Sequence, residues 1–156
     1  MAESRIKVAR NKAELVKELT ASSETTGPFH TYADVMVFAA VLGAKQKKRV
    51  PLEEISKKEP GPIALEIFIS RGYDVIFKLL AIAETKDKAI LSSNEENSEK
   101  ERIHIFEEYA NGGLEILREE LRGAVDYTER LLLMLSWQRE KQEPLQEDFD
   151  LTRFFG

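Results

Sequence analysis

The chain has 156 residues, 42% hydrophobic and 33% charged, with a net charge of −5 and no cysteine. That is the composition of one ordinary globular domain, long enough to bury about two-thirds of the surface its unfolded chain exposes. The missing cysteine excludes disulfides, thiol catalysis and cysteine-ligated metal centres, and fits a reducing cytoplasm. The start, MAESRIKVARNKAEL, is polar and lacks the apolar run of a signal peptide, and no window approaches the ~18 apolar residues of a membrane span. Charge is uneven: residues 1–60 carry +3 and residues 61–156 carry −8. This argues against non-specific coating of nucleic acid, while a local basic patch still acts within a screening length of about 10 Å.

The first helix is expected after Asn11, which stands three residues before Glu14 in a capping-box arrangement. SSETTGPF interrupts it. The second helix is expected over 31–43, with Thr31 as cap and Asp34 in the first turn. Val35, Phe38, Ala39 and Leu42 form its apolar stripe, widened by Val37 and Val41, so it should be buried on most sides. Gly43 reads as its stop. Pro51 should open a short helix with Glu53 and Glu54 in its first turn. Pro62 is placed to begin another, although Ile63, Leu65, Ile67 and Ile69 alternate as in a strand. A helix is expected over 73–84.

SSNEENSEKE, residues 92–101, reads as a polar loop. KAIL before it and RIHIF after it leave open a small β-hairpin, a winged-helix-like element. From Leu114 an apolar register through Leu117, Leu121, Val125, Thr128, Leu132 and Leu135 implies one long helix, ended by Pro144. Within it RLLLMLSW is apolar around much of its circumference, as for a segment buried on several sides or meeting a partner subunit. The expected fold is mainly α: a bundle of about six helices over residues 1–143, followed by an acidic-aromatic tail, 144–156.

Few residues are arranged for chemistry. His30 and His104 are far apart and lack the i, i+4 partner of a helical metal site. Glu107-Glu108 and Glu119-Glu120 are adjacent pairs, which point about 100° apart on a helix. No glycine-rich nucleotide loop is present. Asn111-Gly112-Gly113 lies among Glu107, Glu108 and Glu115 without a neighbouring lysine, so it reads as a helix-terminating joint rather than a phosphate loop. No cofactor and no catalytic residue is indicated. The one basic cluster is Lys45, Lys47, Lys48 and Arg49, between a buried helix and Pro51. It suits contact with a phosphate backbone, and no interleaved aromatics indicate base reading. In the tail, Phe149, Leu151, Phe154 and Phe155 stand among acids, as in a docking peptide or a segment folded back on the core.

PFHTYADVMVFAAVLGAKQKKRVPLEEI, PIALEIFISRGYDVIFKLLAIAE, IFEEYANGGLEILREEL and DFDLTRFF together resemble the small bacterial family called Dnd system-associated protein 4, or DNA phosphorothioation-associated protein 4. The likeness runs from about Ile6 to Phe155 and is one of whole pattern. It implies company with Dnd systems, which replace a non-bridging phosphate oxygen of DNA with sulfur and restrict unmodified DNA. Without cysteine the chain would be an accessory and not the sulfur carrier. The resulting expectation is a non-enzymatic, cytoplasmic adaptor. It would bind protein components of a Dnd modification or restriction complex through the tail, and the DNA backbone weakly through the basic cluster. The alternative is a stand-alone DNA-binding transcriptional regulator, which would be a homodimer.

Overall fold

The computed structural model describes residues 4–22, 27–92 and 96–148, with backbone alone for 138 and 140–148. Its elements are β1 (Arg5–Ile6), α1 (Ala13–Glu18), α2 (Tyr32–Lys45), β2 (Ile63–Ala64), α3 (Leu65–Ser70), α4 (Asp74–Thr85), α5 (Glu96–Glu120) and α6 (Tyr127–Asp148), with 3₁₀ turns at Arg10–Lys12 and Lys88–Leu91. The mainly α expectation holds. The described residues up to 119 form one compact unit and those from 120 onward a second. No described helix is long and apolar enough to cross a membrane.

In the first unit α2 lies in the interior, as its sequence requires. Val35, Met36, Ala39 and Ala40 are all but inaccessible. The Thr31 hydroxyl accepts a hydrogen bond from the Asp34 amide at 3.1 Å, which caps the helix. The other half of the core is aromatic. Phe68 of α3, Phe77 of α4 and Phe106 of α5 are buried together. Phe77 stacks on Phe106 at 4.0 Å between centroids, and Phe68 meets both edge-on at 5.4 and 5.6 Å.

Segment 51–62 corrects one expectation. It forms no helix. It runs extended beside the N-terminal strand: the Ser56 amide donates to the Val8 carbonyl and the Arg10 amide to the Glu54 carbonyl, both at 2.8 Å. Backbone partners supplied by residues 8–10 outweigh the helix-start signal at Pro51. Residues 63–69 divide. Ile63 pairs with Ile6 and Ala64 with Arg5, antiparallel, and α3 begins at Leu65. The small antiparallel pair thus joins distant segments, while KAIL forms a 3₁₀ turn and RIHIF lies inside α5. Asn11 makes no capping hydrogen bond, because a 3₁₀ turn precedes α1.

The largest correction concerns Gly112-Gly113. They are no joint. α5 passes through them without a break for 25 residues. They lie where α5 crosses α2. A Cβ on Gly113 would stand 1.7 Å from the Ala39 carbonyl oxygen, one on Gly112 2.0 Å from that of Lys48, and one on Gly43 2.1 Å from that of Tyr109. Absent side chains let the two backbones touch. Gly43 therefore does not stop α2, which continues to Lys45.

In the second unit the expected long helix is interrupted. α5 ends at Glu120, Gly123 takes a left-handed φ of 76°, and α6 restarts at Tyr127. The Asp126 carboxylate accepts from the Glu129 amide at 3.2 Å. Pro144 does not end α6, which reaches Asp148. Along RLLLMLSW, Leu131 and Met134 are buried whereas Leu132, Leu133, Leu135 and Trp137 are exposed.

Candidate functional site

The basic cluster begins at the end of α2. The Lys47 amide donates to the Ala44 carbonyl at 3.1 Å and the Lys48 amide to the Gly43 carbonyl at 2.8 Å. This is a Schellman closure, and its left-handed position, where glycine is usual, is held by Lys47 with φ 56°. Its ammonium complements the negative end of the helix dipole, which offsets part of the backbone strain. The chain then turns onto α5. The Val50 amide donates to the Glu108 carbonyl at 3.0 Å, and the Asn111 side-chain amide donates to the carbonyls of Val50 and Pro51, each at 3.2 Å.

This path divides the four cations. Arg49 is drawn onto the protein. Its Nε donates to Glu108 at 2.6 Å, its Nη1 to Glu84 at 2.9 Å, and its guanidinium lies 5.9 Å from the Tyr109 ring centroid. Tyr109 donates its hydroxyl proton to the other oxygen of Glu84. Burial alone would lower the Arg49 pKa, but the two carboxylates hold it above the ordinary value. Lys48 pairs with Glu115 at 3.3 Å. Lys45 and Lys47 are exposed and have no ion pair among the described residues.

Behind the turn lies a group the sequence does not announce. Lys12 is 1% exposed. Its Nζ donates to Asn111 Oδ1 at 2.9 Å and to Glu115 Oε1 at 3.4 Å. Burial pulls its pKa below the usual lysine value, against the attraction of Glu115. Burial alone would raise the Glu115 pKa, but Lys12 and Lys48 hold it below the usual carboxylate range. A cavity of about 490 Å³ opens beside Lys12, between Arg10, Val50, Pro51, Asn111 and Glu115. One turn back on α5, buried Glu107 accepts from the Lys7 amide at 2.6 Å, and burial pushes its pKa up. Lys12 was hidden because it follows Asn11, a residue expected to cap. The only signal for it was a lysine within an apolar register, in line with Val16 and Leu19.

The expected partner residues Phe149, Leu151, Phe154 and Phe155 lie outside the described residues. His104 is exposed and its Nε2 stands 3.3 Å from Glu108. No group of three potential metal ligands occurs among the described residues.

No curated protein and no solved structure matches the chain. A family model does, over residues 5–154, nearly the whole length. The matched span includes the α2–α5 crossing, the basic turn and the Lys12 cavity, and the chain belongs to the family described as DNA sulphur modification system-associated protein 4.

Proposed function

We propose that the chain is a non-enzymatic accessory of a DNA sulphur modification system, an adaptor that docks on a protein component and touches the DNA backbone weakly. Family membership supports the system. The DNA contact is carried by one observation: Lys45 and Lys47 are exposed on the basic turn with no carboxylate partner among the described residues, whereas Lys48 and Arg49 are committed to Glu115, Glu84 and Glu108. The proposed contact therefore rests on Lys45 and Lys47, with Lys48 and Arg49 shaping the turn. Two free cations give a small salt slope, about −0.9 per neutralised phosphate. Protein docking is assigned to Phe149, Leu151, Phe154 and Phe155, whose aromatic anchors among acids suit a groove on a partner. Exposed Val75 and Leu79, one turn apart on α4, add apolar surface consistent with an interacting protein.

The test is DNA binding by Lys45→Glu/Lys47→Glu as a function of salt. Weaker binding with a flatter slope supports the contact, and unchanged binding removes it. Footprinting separates this reading from a sequence-specific regulator, which would protect one defined site.

A further inference from the structure

We propose that the open groove along α2, between Phe29 and Tyr73, takes an unpaired nucleobase, so that the chain prefers single-stranded to duplex DNA. This deepens the DNA-contact reading and rests on it: Lys45 and Lys47 meet the backbone, and the groove holds a base.

The groove has a volume of about 450 Å³, and its lining includes Phe29, His30, Phe38, Val41, Arg71 and Tyr73. Four of these carry an aromatic ring and a fifth a guanidinium, the planar groups on which unstacked bases lie. Phe29 and Phe38 meet at 5.2 Å between centroids, and both keep part of their surface open. Val41 is 44% exposed. Arg71 is held in place: its Nε and Nη2 donate to the two oxygens of Asp34 at 3.1 and 2.9 Å. The Tyr73 hydroxyl donates to the same carboxylate at 2.6 Å. Asp34 thus has a cation of its own and is no bare charge against a phosphate.

Helical register ties the groove to the basic turn. The sequence separates the aromatics from the basic cluster, but Asp34, Phe38, Val41 and Lys45 follow at steps of 4, 3 and 4 and share one stripe of α2. Lys45 stands one turn beyond Val41, about 6 Å along the axis, and about 10 Å beyond Phe38. A nucleotide with its base on Phe38 therefore carries its backbone toward Lys45. Charge agrees. In and behind the turn Lys12, Lys45, Lys47, Lys48 and Arg49 stand with Glu84, Glu108 and Glu115, five cations to three carboxylates. In the groove Arg71 cancels Asp34. A duplex makes no use of the aromatic lining, because its bases are stacked on both faces. An apolar peptide would make no use of the cations at the end of the stripe.

The experiment measures fluorescence anisotropy of the full chain with a labelled oligothymidine of about 12 nucleotides, with its duplex, and with the same strand made abasic at its centre. The intact single strand should bind about tenfold more tightly than the duplex, and the abasic strand, which keeps every phosphate, should lose that advantage. Phe38→Leu keeps the apolar volume and removes the ring. It should weaken single-strand binding about tenfold and leave duplex binding unchanged. His30→Ala, at an exposed position, should act in the same sense if the first variant does not fold. Lys45→Glu/Lys47→Glu should weaken both forms. Equal affinity for the three DNAs overturns the proposal and leaves the backbone contact standing, as does single-strand binding unaltered in both groove variants. No binding of any DNA removes both readings. A Phe38→Leu chain that binds the single strand normally but loses a co-purified protein gives the groove to that protein instead.

Discussion

Gly113→Ala should destabilise the protein, against the usual rule for glycine within a helix. On propensity alone the substitution gains about 1 kcal/mol. Here the new Cβ would sit 1.7 Å from the Ala39 carbonyl oxygen, a backbone atom of α2 that no rotamer change can move. Ordinary contact begins near 3.4 Å, so the helices must part locally by about 1.7 Å. Overpacking of this kind costs about 1–3 kcal/mol, and the rigid obstacle places Gly113 at the upper end. Subtracting the propensity gain leaves a net loss of about 2 kcal/mol. For a chain of this length each kcal/mol moves the melting midpoint about 2–4 °C, so Tm should fall by about 4–8 °C. Urea unfolding followed by circular dichroism gives the free energy. Gly43→Ala opens the same crossing from the other side. The double variant should therefore lose less than the sum of the two singles. A Gly113→Ala protein as stable as wild type, or more stable by the propensity term, would refute the direct backbone contact.

Arg49→Ala should cost roughly 1–3 kcal/mol, because it leaves Glu108, nearly buried, with the exposed His104 as its one remaining ion-pair partner among the described residues; chemical denaturation measures the loss. Lys47→Gly should be neutral to about 1 kcal/mol stabilising, since glycine relieves the left-handed backbone while the cation at the helix end is lost, yet it should weaken DNA binding. Both effects are read on one preparation, by melting and by fluorescence anisotropy with labelled duplex. Glu107→Gln tests the buried carboxyl. The folded-state pKa of Glu107 is raised above 4.5, so its contribution is full below pH 4.5 and is lost as pH rises through the folded value. Glutamine keeps an acceptor for the Lys7 amide and does not titrate. The variant should therefore gain stability relative to wild type across that window, and a difference independent of pH would refute the assignment.

Much of the fold was legible because local signals and tertiary demands agreed. In α2 the Thr31 cap, the apolar stripe and burial all point the same way, and the helix begins where expected. Glycine carries two opposite signals. Having no Cβ suits a residue to a left-handed turn and equally to close backbone approach. Gly43, Gly112 and Gly113 serve the second use, whereas the turn that closes α2 falls to Lys47. Only the partner helix distinguishes the two, and it lies about 70 residues away. Segment 51–62 departs from the helix expected at Pro51 for a related reason: its backbone partners are residues 8–10, beyond any local window. The basic cluster was visible as composition, but not the carboxylates that absorb half of it. Glu84, Glu108 and Glu115 come from two other helices. Lys12 was the least visible, since its burial depends on Asn111 and Glu115 meeting it from α5.

The most direct test of the adaptor account is quantitative affinity purification from the native host, comparing the full chain with one lacking residues 145–156. The account predicts that components of the DNA sulphur modification system are enriched with the full chain and lost with the truncated one, while the truncated chain still melts cooperatively and loses only the helical circular dichroism of the last turn of α6. A full chain that enriches none of those components would contradict it.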